Sequence, residues 1–153
     1  MKNLLIVTLL LISSLAGIAQ GKYTANRGPV PSYPDYVSPL FRTIDGTYFD
    51  LEQGNNAASV TGYTNILDWL QGRVAGLQVY TIRGNRIAFM RNYPATIYVD
   101  EIRTDASILS MLPVTDIALI KIIKAPQASI LSAPGGAIVV YTKRGEVEEE
   151  EEG

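Results

Sequence analysis

The chain has 153 residues, no histidine, no cysteine and a formal net charge of −2, with 47% apolar and 18% charged residues. That length suits one core and is too short for two ordinary domains. The missing residue types remove the commonest general base and proton shuttle, the thiolate nucleophile and any disulfide.

Met1–Ala19 has Lys2 at its head, an apolar run Leu4–Ile12 and small residues ending at Ala19. This is the pattern of a cleaved secretory signal (1–19), and its apolar run is shorter than the ~20 residues a membrane-spanning helix needs. Between Gln20 and Gly145 there are twelve basic and nine acidic residues, whereas Glu146 and Glu148–Glu152 crowd the last stretch. A mildly basic body followed by an acidic, solvated, disordered tail (146–153) is expected. Nothing in the body is basic or aromatic enough to imply nucleic acid.

Residues 20–39 hold Pro29, Pro31, Pro34 and Pro39 with Tyr23, Tyr33 and Tyr36 among them. Proline at that density removes backbone donors and favours extended conformation, so an arm without regular structure is expected. It is either a linker or a segment that wraps a partner with Tyr33 and Tyr36 as anchors. In Leu40–Leu51, Asp45-Gly46 reads as a hairpin turn, and Glu52–Gly62 as a polar loop.

Asn65–Ala75 is the best helix candidate. Asn65 caps it with Asp68 three residues on, Ile66, Leu67, Leu70 and Val74 recur at helical spacing, and Gly76 stops it. Gly72 inside it implies close packing against another backbone. Leu77–Ile82 reads as a strand, Arg83–Arg86 as a turn and Ile87–Met90 as a strand, with a break at Asn92-Tyr93-Pro94. Ile97–Ile102 reads as one strand, followed by a short helix capped by Asp105 and ended at Pro113.

Ile117–Lys124 is apolar on both faces, with Ile117, Leu119 and Ile123 on one and Ala118, Ile120 and Ile122 on the other. Ala137–Thr142 behaves alike, and Pro134-Gly135-Gly136 between them reads as a turn. Such strands belong at the centre of a sheet covered twice. The interleaved pattern gives an α+β class: a small mixed β-sheet with short helices.

Motifs for chemistry are absent from the sequence. There is no G-x-S-x-G elbow, no phosphate-binding P-loop and no calcium-loop spacing. Asp100 and Glu101, adjacent on an expected strand, point to opposite faces and cannot converge on one bond. No enzymatic activity, cofactor or metal is expected.

The pieces Ile66–Val79 (ILDWLQGRVAGLQV), Ile82-Arg83-Gly84, Ile97–Asp100, Pro113 with Asp116-Ile117, Ile120–Ala125, Ala128–Ile130 and Gly136–Gly145 occur in an order that resembles the plug domain of TonB-dependent outer-membrane receptors. The likeness is to the version in starch-utilisation-type transporters. It covers about residues 63–145, and the expected domain spans 40–145. In that family the plug is a small mixed sheet with helices that blocks the lumen of a barrel of roughly 22 strands. Only the acidic tail follows Gly145, and no energiser-binding box is recognisable in the Tyr/Pro arm.

The resemblance therefore implies a free-standing plug in the periplasm, held at the outer membrane by a protein partner. It would occupy or cap the periplasmic opening of a separate β-barrel, such as a type 9 secretion translocon or a nutrient-uptake barrel, and limit leakage. Arg83, Arg86, Arg91 and Arg103, with Tyr33 and Tyr36, are the expected barrel contacts. Two other readings stand beside it: a soluble glycan- or peptide-binding module using Trp69, Tyr80, Tyr93 and Tyr98, and a receptor remnant without function.

Overall fold

Two strands whose side chains are buried on both faces set the architecture. The computed structural model describes residues 32–144, of which residues 33–144 belong to one unit. The expected signal 1–19, residues 20–31 of the arm and the tail 146–153 lie outside the described residues.

The elements run α1 (Pro39–Thr43), β1 (Thr47–Asp50), α2 (Gly54–Val60), α3 (Ile66–Gln71), β2 (Leu77–Ile82), β3 (Asn85–Met90), β4 (Tyr93–Pro94), β5 (Thr96–Val99), β6 (Ile102–Thr104), α4 (Ile108–Met111), β7 (Ile117–Ile123) and β8 (Ala137–Thr142). Single 3-10 turns precede β7 and link it to β8. One sheet has the order β1-β7-β8-β5-β6 and the other β2-β3-β4. β7 and β8 are antiparallel, and β5 joins β8 in parallel. The α+β class and the mixed sheet expected from the sequence are therefore present.

Every residue of β7 is buried, as are Ala137–Tyr141 of β8. The side chains sort into two cores. On one face Ile120, Ile122, Ile138 and Val140 meet α3 and the inner face of the smaller sheet through Trp69, Leu70, Ala88 and Met90. On the other, Leu119, Ile123, Val139 and Tyr141 meet Val37, Phe41 and Ile44. Fully burying one such side chain stabilises the fold by about 1.5–3 kcal/mol, so both covers are needed. The face assignment at the start of β7 differs from strict alternation. A bulge between Ile117 and Leu119 puts Ala118 and Leu119 on the same face and sends Ile117 to the other.

Several local expectations are corrected. Leu40–Leu51 is not a hairpin: Pro39 starts a helical turn and only Thr47–Asp50 is a strand, paired with β7. Gly46 is needed for space, because a Cβ there would lie 2.5 Å from the Ile122 carbonyl oxygen. The expected polar loop at Glu52–Gly62 contains the helix α2. The Asn65 side chain does cap α3, accepting from Leu67 N, but the helix ends at Gln71 with Gly72 as its C-cap and open space around it. Asn92-Tyr93-Pro94 folds back as β4 through a turn at Arg91-Asn92, where both residues have positive φ. The run Ile97–Ile102 is split in the same way: Asp100 and Glu101, at φ 47° and 70°, turn β5 into β6.

These glycines separate cleanly under mutation. Gly46→Ala should cost about 1–3 kcal/mol by overpacking against β7. Gly72→Ala, at φ −83° in open space, should be neutral or stabilise by up to ~1 kcal/mol. Urea unfolding of the two variants beside the parent chain measures both.

Candidate functional site

The second core is closed by a strap, residues 33–44, that crosses the sheet with its aromatic rings down. Tyr33 packs edge-on to Tyr48 with ring centroids 5.1 Å apart, and Tyr36 lies 5.8 Å from Tyr141. Arg144 sits over the Tyr36 ring at 5.0 Å. Burial, before the nearby acidic charges, raises the hydroxyl pKa values of Tyr33 and Tyr36 and pushes Tyr48 up to about 12. Thus both arm tyrosines expected to anchor a partner already spend one ring face within the chain.

Lys121 is the strap's centre. It lies on the fully buried strand β7 at 0% exposure, and its Nζ donates to the Phe41 carbonyl and, at 3.5 Å, to that of Arg42. The Tyr33 ring covers it at 4.5 Å. The carbonyls at the end of α1 thus stand where a carboxylate would be expected. Burial lowers the Lys121 pKa to about 8, the charge of Asp45 pulling the other way. The only sequence signal for this group is a lysine in a run apolar on both sides.

Glu101 closes the strap's other end: its Oε1 accepts from Ser38 N at 2.7 Å and from the Tyr141 hydroxyl at 3.0 Å. Asp100 accepts from the Thr142 amide at 3.0 Å and hydroxyl at 2.7 Å. The two carboxylates sit in a turn, and not on one strand as expected. Each is committed to a structural bond.

The four arginines do not converge. Arg83 lies at the β2–β3 turn and Arg91 at the β3–β4 turn, which antiparallel pairing puts at opposite ends of the smaller sheet. Arg86 pairs with Asp68, and Arg103 is exposed on the edge strand β6. Of the aromatic residues, Trp69 is fully buried and Tyr98 is 7% exposed with its hydroxyl donating to the Leu131 carbonyl. Those two are core and cannot stack on a sugar, whereas Tyr80 and Tyr93 are 49% and 60% exposed. Tyr80 packs edge-on to Phe89 on the outer face of the smaller sheet. Arg73, which the sequence did not single out, stacks on Trp69 at 4.3 Å.

A cleft of about 610 Å³ has an apolar floor of Leu51, Val60 and Ile117 and a rim including Glu52, Thr61 and Lys143. Among the described residues no cluster of three or more acidic side chains could hold a metal ion, and no helix is long and apolar enough to cross a membrane.

No protein-family model matches the chain, and no curated protein matches it in sequence. Among solved structures, it is similar to the RagAB peptide importer in the open-open state, with a TM-score of 0.54 and 23% identity over 69% of this chain. The closed-closed state gives a TM-score of 0.51 at 20% identity over the same share. The siderophore receptor PirA from Acinetobacter baumannii gives 0.54 at 17% identity over 65%. The chain spans only 13% of the RagAB chains and 17% of PirA. What is shared is the fold of a part of these larger proteins.

The strap's buried lysine has a pH signature. Because Lys121 has its folded pKa near 8, below the ordinary 10.5, the unfolded chain binds more protons between those values and stability rises with pH there. Urea midpoints should climb from about pH 8 to 9, before the unfolded chain's tyrosines, near 10, begin to ionise and oppose the rise. In Lys121→Met the climb should be absent, whatever its stability at pH 7.

Proposed function

We propose that the chain acts as a plug: its α+β body occupies or caps the periplasmic opening of a large outer-membrane β-barrel formed by another chain and limits leakage through it. The observation that carries this reading is a coincidence of sequence and fold. The motifs that resemble TonB-dependent plug domains form α3, part of β2, most of β5, β7 and β8, and part of the β7–β8 connection, and the same fold occurs inside a peptide importer and a siderophore receptor.

The lumen of a large barrel is polar, so it would be met by the charged turn tips and edges. The proposed contacts are Arg83, Arg91 and Arg103, with Arg86 contributing least because Asp68 already holds it. Tyr33 and Tyr36 would contribute only the ring edges left exposed by the strap. A type 9 secretion translocon or a nutrient-uptake barrel are the proposed hosts, and no catalysis is assigned.

Photo-cross-linking from positions 83 and 103 of the tagged full chain should trap a large, heat-modifiable membrane barrel. Deleting the gene should admit bulky antibiotics. Arg83→Ala with Arg103→Ala should weaken capture about fivefold, equivalent to ~1 kcal/mol. Recovery of the chain solely as a free monomer, with permeability unchanged in the deletion strain, would sink the reading.

A further inference from the structure

A smaller cavity of about 230 Å³ lies where the loops at one end of both sheets converge: residues 75–76 after α3, 90–93 of the β3–β4 turn, 124–125 after β7 and 134–135 before β8. Its lining includes the apolar groups Met90, Ala125 and Pro134, the exposed Tyr93 and the cations Arg91 and Lys124, with no acidic residue. Among the described residues the ion pairs are Arg42–Asp35 and Arg86–Asp68, so neither cation has an acidic partner. The Lys124 Nζ donates to the Ala75 carbonyl at 2.9 Å, which fixes the ammonium and leaves two of its protons to give.

Two further features hold the walls. A Cβ at Gly135 would lie 2.8 Å from that of Tyr93, so the glycine lets the loop before β8 press onto β4. Arg91 stands at φ 51°, a conformation that glycine or asparagine adopts at lower cost. Arg91 and Lys124 thus line one cavity as two cations without an acidic partner.

We propose that this cavity binds a small carboxylate carrying a short apolar side chain, of the kind the C-terminal residue of a peptide presents. The carboxylate lies between Arg91 and Lys124, and the apolar part rests on Met90, Ala125 and Pro134. Both charges are needed, because a charge-assisted bond to each is what a carboxylate can form and an amide cannot. The volume is below the usual range for drug-sized ligands, roughly 300–1,000 Å³, which limits the occupant to about one side chain with its carboxylate. The site does not rest on the plug role, although Arg91 is also among the contacts proposed for it.

Titration of the isotope-labelled full chain with N-acetyl-leucine should shift the amide signals of residues around 75, 91, 124 and 135. N-acetyl-leucine amide should bind at least tenfold more weakly, and inorganic phosphate, which lacks the apolar part, should fail to compete. Hexanoate separates the sources: weaker binding than N-acetyl-leucine supports a peptide end, and equal binding supports a free small carboxylate, both within the proposed chemistry. Arg91→Asn should lose binding about tenfold with an unchanged or higher thermal midpoint, since asparagine tolerates the turn, and Lys124→Gln should weaken it likewise. Equal binding of the amide, equal binding of phosphate, or no shift at millimolar N-acetyl-leucine in a folded protein would overturn the assignment.

Discussion

Everything in this fold follows from placing two adjacent strands where no side chain of the pair's centre reaches water. With one face of β7 and β8 uncovered, either Ile120, Ile122, Ile138 and Val140 or Leu119, Ile123, Val139 and Tyr141 would be solvated. Each such exposure costs on the order of 2 kcal/mol, more in sum than a domain of this size has to spare. The remaining elements are the two covers. α3 with the inner face of the smaller sheet is one; the strap of residues 33–44 is the other. The strap is built from tyrosine, phenylalanine, valine and isoleucine because a single crossing segment must supply large rings to cover a sheet that a longer helix would otherwise span.

Lys121 fixes where that strap ends. A buried ammonium without hydrogen-bond acceptors costs several kcal/mol, and the nearest way to supply them is a helix end with free carbonyls. Pro39 opens α1 at a position where a missing N–H does no harm, and the turn closes so that the Phe41 and Arg42 carbonyls point at Lys121. Those carbonyls, with the Tyr33 ring, hold the cation with no carboxylate in direct contact, and its pKa falls. The strap and the strand specify each other's register.

The strongest periodic signals were readable in advance. The buried strands, the Asn65 cap and the β2–β3 hairpin all rest on residue patterns that act within a few positions, and tertiary contacts reinforce them. What was hidden is of two kinds. Turns at Arg91-Asn92 and Asp100-Glu101 use positive φ without any glycine, placing Arg91 and Glu101 where such residues are disfavoured beside Asn92 and Asp100, which tolerate it, so the runs through them read as a break and as one long strand. Gly46 and Gly72 are the reverse: glycine was read for conformation at the first and for packing at the second, while the structure uses space at the first and a helix end at the second. The candidate sites were less legible than the fold, because Lys121, Lys124 and Glu101 acquire their roles from segments 40 to 80 residues away.

The sheet register also distributes charge along the strands. Asp50, Asp100, Glu101 and Asp116 fall at the end where β1 and β5 finish and β7 begins, together with Lys143 and Arg144, while Arg91 and Lys124 fall where β7 finishes and β8 begins, the end that also carries Asp45 and Asp105. At the first end Asp100 and Glu101 are bound inward, through Thr142, Tyr141 and Ser38, so their negative charge stabilises turns and strap. The second leaves its cations unpaired among the described residues.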